Sequence, residues 1–299
     1  MQMELHWNVI GAPSSAGAHT PGVERAPAAL RKAGLVELMK RDSDVVDLGD
    51  VPGFRWRPDP SNARRQNAPE VVRVAASIAE QVAQSVRRHR IPLILGGDCT
   101  VTIGLAAGHA KVQGPAALVY VDGGPDLYTP ETRANGNLDA MGLAHMLALS
   151  GTVPALAAAG PSVPLLTPDQ VIVYGDSLPA GDHEHDLVEE LQITRVPAQE
   201  VHADAAAAAM RARAAAEAAA PAFMVHFDVD VLSFVAAPLA DVPEPFGLTL
   251  AEASTTLSTL AASPSFVGLT VTEINPDHLP DQQILPNFTR MLAAALAPR

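Results

Sequence analysis

The 299-residue chain has a single cysteine, Cys99, which excludes an internal disulfide framework and a zinc module built from several thiolates. Aromatic residues make up only 4% of it, so its core must be aliphatic, with alanine-rich helices packed close to a sheet. Positive charge is also scarce. Lys and Arg number 20 against 33 Asp and Glu, for a formal net charge of −13 without long single-sign runs. That balance argues against binding nucleic acid or an anionic membrane through a basic footprint, and it steers small cations favourably. No apolar run reaches the roughly 18 residues of a spanning helix. The alanine tract over 205–220 carries Arg211, Arg213 and Glu217 and reads as a solvated helix. The opening Met1-Gln-Met-Glu-Leu-His-Trp7 lacks a basic region followed by an apolar core, so no secretory signal is expected. With a lone thiol, the setting that fits is reducing and cytoplasmic.

What the chain does have is 48% hydrophobic content and a regular alternation of strand-like and helix-like segments. Apolar strand runs fall near 7–12, 45–49, 92–96, 117–122, 170–175, 194–198, 223–229 and 267–274. Amphipathic helical patterns fall near 22–40, 68–89, 100–110, 140–149, 183–191, 204–220, 249–262 and 283–297. Repeated βα alternation predicts an α/β fold in which parallel strands are covered by helices. No internal repeat or linker divides the pattern, so one domain over 1–299 is expected. Pro- and Gly-containing segments at 51–67, 123–138, 151–168 and 232–247 read as long loops, which in compact domains are usually functional.

Three apolar runs end in acid: Ile91-Pro-Leu-Ile-Leu-Gly-Gly-Asp98, Ala117-Leu-Val-Tyr-Val-Asp122-Gly-Gly-Pro-Asp126 and Phe223-Met-Val-His-Phe-Asp228-Val-Asp230. Open parallel sheets bind ligands beyond the carboxyl ends of their strands, where these aspartates stand. Asp228 and Asp230 have the i, i+2 spacing that puts two side chains on one face of a strand. If the neighbouring strands bring both pairs together, their like charges need protons, a cationic side chain or a divalent metal. All-oxygen donors favour Mg, Mn or Ca over zinc or copper. Any one of these aspartates alone is as readily a loop or helix cap.

The order and spacing of these elements resemble the arginase family of ureohydrolases over almost the whole chain. Ile10-Gly-Ala-Pro-Ser-Ser-Ala-Gly17, Pro21-Gly-Val-Glu-Arg-Ala-Pro27 and Asp47-Leu-Gly-Asp50 are similar to the family's opening segments. Gly96-Gly-Asp-Cys99, Asp122-Gly-Gly-Pro-Asp126, Gly136-Asn-Leu-Asp139, Asp228-Val-Asp230, Gly247-Leu-Thr249 and Glu273-Ile-Asn-Pro276 follow in family order. The resemblance implies a three-layer α/β/α fold with an eight-stranded parallel sheet and a two-manganese site at the ends of central strands. It implies water attack on the guanidinium carbon of arginine or a related amidine, with release of urea. A homo-oligomer, trimer or hexamer, is implied as well.

By position in the resemblance, Asp122 and Asp228 are shared metal ligands, with Asp126 on one ion and Asp230 on the other. Glu273 matches the residue that pairs with the substrate guanidinium, and Asp126, Asp139 and Glu273 form the catalytic set. Asn137, Asn135 and Tyr128 occupy the loop that touches the substrate carboxylate, and Asp182 lies where its amino end is recognised. Ordinary turn chemistry explains that loop equally well. His183, Glu184 and His185 near Asp182 read more cheaply as the polarity of a surface helix.

The family pattern is broken at four places. Cys99 and Gly124 stand where it has imidazole metal ligands, Asp139 where it has a relay histidine, and Ser233 where it has a third aspartate. Glycine offers no donor, and a thiolate favours a softer ion than manganese, so weak or single metal occupancy is expected. Cys99 precedes a helix, whose N-terminus can lower a thiol pKa, and it reads as a metal ligand, a nucleophile or an inert core residue. His226 shares strand parity with Asp228. It is either a replacement imidazole or a hydrogen-bonded core histidine.

Overall fold

The computed structural model describes residues 5–298. Eight strands, β1 (His6–Gly11), β2 (Asp44–Asp50), β3 (Ile91–Leu95), β4 (Ala117–Val121), β5 (Val171–Tyr174), β6 (Thr194–Val196), β7 (Phe223–Asp228) and β8 (Phe266–Thr272), form one sheet in the order β2-β1-β3-β8-β7-β4-β5-β6. Every pairing is parallel. The apolar runs predicted these strands because a sheet covered on both faces has no polar side: all five residues of β4 and all six of β7 are buried.

Period-two alternation divides the core in two. Val119, Val121, Val225 and Phe227 point into one helix layer, and Leu118, Tyr120 and Met224 into the other. The first layer holds α1 (Ala26–Lys32), α2 (Leu35–Met39), α9 (Ala205–Ala219), α10 (Leu250–Ala261) and α11 (Ile284–Ala295). The second is led by α3 (Ala68–Arg87), α4 (Val101–Gln113) and α5 (Gly142–Met146). Shorter helices α6 (Pro154–Ala157), α7 (His183–Glu190) and α8 (Ala198–Ala203) complete the set. The result is a three-layer α/β/α architecture.

Four local readings change. The helix expected over 22–40 is two helices, because Gly34 takes a left-handed conformation with φ 90° and ends the first. Helix α8 was not anticipated, and α6 interrupts the loop expected over 151–168. Most important, β7 ends at Asp228 and residues Val229–Val231 turn into a 3-10 helix, so Asp228 and Asp230 do not converge by strand alternation. The turn itself brings them together, with the Asp230 amide donating to Oδ1 of Asp228 at 2.7 Å.

Strands β3 and β4 are consecutive in the chain but separated in the sheet by β8 and β7. Such a reversal opens a crevice at the carboxyl ends of the strands that flank it. Cys99, Glu273, Asp228 and Asp122 lie at or just beyond the ends of those four central strands.

Candidate metal and active site

The turn after β3 is packed so tightly that only glycine fits at 97: a Cβ there would lie 1.7 Å from the Ser14 carbonyl oxygen. Asp98 locks the turn by accepting from the amides of Gly17 at 3.0 Å and Thr100 at 3.2 Å, and from the Thr100 hydroxyl. Cys99 is thereby set at the entrance to α4, 2% exposed, with Sγ 2.6 Å from Oδ2 of Asp228. Its own amide donates to Oδ1 of Asp139 at 2.6 Å.

Beyond β4, Oδ1 of Asp122 accepts from the Gly124 amide at 2.8 Å and Oδ1 of Asp230 from the Gly123 amide at 3.0 Å. Asp126 and Glu273 both sit on left-handed backbone, at φ 53° and 62°. For residues with a Cβ this conformation is uncommon and carries strain that the surroundings must hold. The backbone at Glu273 is held by its amide, which donates to the Gly97 carbonyl at 2.9 Å.

These elements bring donor atoms into three groups, each with all members within 4.8 Å of one another: Cys99, Asp122, Asp126 and His226; Cys99, Asp139 and Glu273; Asp122, Asp228 and Asp230. Asp122 belongs to two groups and Cys99 to two. All members of the groups but His226, which lies behind the wall, line a cavity of about 220 Å³ whose wall also includes His19, Arg133, Asn137, Glu184 and Glu244.

Burial, and then neighbouring carboxylates, push Asp122, Asp126, Asp228 and Glu273 well above the usual carboxylate range. Asp230 moves up for the same first cause. Asp139 rises to about 6 and Glu184 to about 7, again chiefly through burial. His226 is no counter-charge, since burial lowers it to about 3 and keeps it neutral. Oε1 of Glu273 is buried with no hydrogen-bond partner. Among the described residues, no Lys or Arg forms an ion pair with Asp122, Asp126, Asp139, Asp228, Asp230 or Glu273. The donor chemistry therefore fits a divalent cation, which would relieve the repulsion and occupy the orphaned oxygen.

The sequence readings are sorted by this geometry. Asp122, Asp126, Asp139, Asp228, Asp230, Glu273, Cys99 and Asn137 share the cavity wall. Asn135, Tyr128 and Asp182 are not among its lining residues. Asn135 is exposed and folds its Oδ1 back onto the Asn137 amide at 3.2 Å. Tyr128 packs tilted against His183, ring centroids 5.3 Å apart, and lies under the Arg133 guanidinium. Asp182 caps α7 by accepting from the Glu184 amide.

Glu184 is the residue at that corner which enters the cavity. It is 7% exposed rather than on a surface, and it accepts from the Leu127 amide at 2.7 Å. The signal was the i, i+4 pairing with Val188, whose burial makes that face of α7 the inner one. His185 is likewise buried, 8% exposed. For Cys99, the lowering expected from a helix N-terminus is overcome: burial and then Asp228 raise the thiol well above its ordinary value. Gly124 supplies no donor, and a Cβ at that position would meet only Oε2 of Glu184, at 3.6 Å.

Residues 6–299 match the family model described as the arginase family. The chain belongs to the arginase family. It is 31% identical to human arginase-1 over 274 residues, covering 90% of this chain and 84% of that one. With the arginase of Bacillus caldovelox it shares 31% identity over 285 residues, 90% of each chain. The solved structure of that Bacillus enzyme superimposes with a TM-score of 0.88 over 98% of both chains. Formimidoylglutamase from Bacillus subtilis shares the fold, with a TM-score of 0.75 at 17% identity over 98% of this chain and 87% of that one. The arginase family comprises hydrolases of small guanidino and amidine compounds. No helix among the described residues is long and apolar enough to cross a membrane.

Proposed function

We propose that this chain is a metal-dependent amidine hydrolase that cleaves a guanidino C–N bond of arginine or a related compound and releases urea. Manganese is the ion we assign from the family resemblance, held weakly because position 124 contributes no ligand. The observation that carries the reading is Glu273: a buried carboxylate on left-handed backbone whose Oε1 faces an acidic cavity without a partner. A planar guanidinium supplies two parallel N–H donors that match a carboxylate, and its charge suits a cluster whose carboxylates make no ion pair with Lys or Arg among the described residues.

In this reading Asp122, Asp228 and Asp230 hold one ion, and Asp126 and Cys99 complete a second position with the shared Asp122. The metal supplies a lowered water pKa and stabilises charge as the trigonal carbon becomes tetrahedral. Glu273 orients the guanidinium. Asp126, gripped by the Tyr120 hydroxyl at 2.5 Å, takes the proton released by the attacking water. Asp139, raised to about 6 and grouped with Glu273, returns a proton to the leaving amine. Asn137, Arg133 and Glu184 also line the cavity, where they are available to the far end of the substrate. The chain acts in this reading as a homo-oligomer, a trimer or hexamer.

The test is urea release across a panel of guanidino compounds with manganese, iron or zinc supplied separately. Turnover with one of them is expected, and none with any metal removes the hydrolase reading for those substrates. A catalytically silent, ligand-binding protein is the second reading, favoured by Gly124, which leaves one ion position without its imidazole. Saturable binding of a guanidino compound without turnover is its signature.

A further inference from the structure

We infer that His226 and Cys99 join Asp122 and Asp126 in a mixed nitrogen, sulfur and oxygen site for a borderline divalent ion of the Zn2+ or Co2+ class. This rests on the proposed reading of the cavity as a metal centre and changes what that centre holds. The His226 imidazole rises from inside β7, two residues before Asp228.

The ring is completely buried and held from three sides. Its Nδ1 lies 2.7 Å from the Thr102 hydroxyl and 3.2 Å from that of Thr270, and the two hydroxyls are 2.8 Å apart. Tyr120 stacks on its face at a centroid distance of 4.0 Å and an interplanar angle of 17°. With the ring proton on Nδ1, Thr102 accepts it and passes its own hydroxyl hydrogen to Thr270. That relay leaves the Nε2 lone pair directed at the acidic cluster, 3.2 Å from Oδ2 of Asp122. A hydrogen-bonded far nitrogen that fixes tautomer and ring orientation is the usual support of a metal-binding histidine.

The remaining donors are placed by the same residues. Tyr120 holds Asp126 through its hydroxyl, and Sγ of Cys99 lies in one group with Nε2, Asp122 and Asp126. Independent of these contacts, Oε1 of Glu273 is buried and unpartnered in the adjoining group with Cys99, which marks missing positive charge at this spot. Imidazole and thiolate donors shift preference along the divalent series from manganese toward zinc. The all-oxygen group of Asp122, Asp228 and Asp230 retains the opposite preference.

The test uses the full chain, stripped with chelator and reloaded with Zn2+ alone or Mn2+ alone. X-ray absorption at the zinc edge is expected to show one sulfur at about 2.3 Å, nitrogen and oxygen at about 2.0–2.2 Å, and imidazole outer-shell scattering. His226→Asn removes the imidazole signal and weakens Zn2+ by roughly tenfold or more, with less effect on Mn2+. Asp230→Asn does the reverse. Should His226→Asn not fold, the wild-type spectrum decides alone. A zinc shell lacking sulfur or imidazole overturns the inference and leaves the metal-centre reading standing; no uptake of either ion overturns both.

Discussion

The Tyr120 hydroxyl donates to Oδ2 of Asp126 at 2.5 Å, while the ring of the same residue lies flat against His226. One side chain of β4 thus orients a carboxylate from the following turn and an imidazole from the adjacent strand. Asp126 draws its side-chain hydrogen bond from this hydroxyl, whereas His226 is held in addition by Thr102 and Thr270.

Tyr120→Phe separates the two duties, since the ring remains and only the hydroxyl is lost. Asp126 then loses a donor in a buried setting, where an unsatisfied group costs about 1–3 kcal/mol. Urea denaturation of metal-free protein is expected to show that loss with an unchanged slope. A midpoint equal to wild type means that Asp126 finds another partner.

Acid should stabilise the metal-free chain. Asp98 rises from 3.8 to about 7, Asp139 from 3.8 to about 6 and Glu184 from 4.5 to about 7. A raised carboxyl pKa means that the folded state binds more protons, so this contribution is complete below the unfolded values and is lost as pH climbs through the folded ones. His145, lowered to about 4, and His226, lowered to about 3, act in the opposite sense between those values and 6.5. With His109, which burial also lowers, they are three against the three carboxyls above and five more that are raised, Asp122, Asp126, Asp228, Asp230 and Glu273. Melting temperature in chelator is therefore expected to fall between about pH 4.5 and 7.5, and added Mn2+ to reduce the fall by binding the deprotonated cluster. A rise in chelator over that range contradicts the cluster's electrostatics.

Asp98 works one step behind the cavity. Asp98→Ala strands the Gly17 amide and the Thr100 hydroxyl and frees the turn that carries Cys99. Leaving these buried donors unsatisfied is expected to cost about 1–3 kcal/mol each, readable as a lower denaturation midpoint. A change below about 1 kcal/mol would show that the turn is held by its backbone packing alone.

The strands were legible because a covered parallel sheet writes itself as unbroken apolar runs, and all eight appear where those runs lie. The acidic residues at their ends were legible for the same reason: polarity at the end of a buried strand needs a use. Less visible were features set by tertiary contact. The 3-10 turn at 229–231 replaces strand alternation as the cause of the Asp228 and Asp230 pairing, although the same two residues meet. Glu184 looked like surface polarity because α7 carries charge all round, and only the packing of Val188 reveals its inner face. The thiol of Cys99 was read from its helix terminus, a modest effect that burial among four carboxylates outweighs.

Gly124 offers the most direct intervention. Its backbone is outside the left-handed region, and a Cβ would touch only the Glu184 carboxylate, at 3.6 Å, an ordinary contact. Gly124→His should therefore fold with stability within about 1 kcal/mol of wild type. The imidazole enters beside the all-oxygen group and adds a neutral nitrogen donor where the chain now has none. A further ligand at an incompletely surrounded ion should tighten Mn2+ by about tenfold, equivalent to about 1.4 kcal/mol. Paramagnetic titration of free Mn2+ measures this directly, independent of turnover, and urea release is expected to rise in parallel if ion occupancy limits the rate. Unchanged affinity in a folded variant would separate position 124 from the ion and leave Asp122, Asp228 and Asp230 as its whole protein shell.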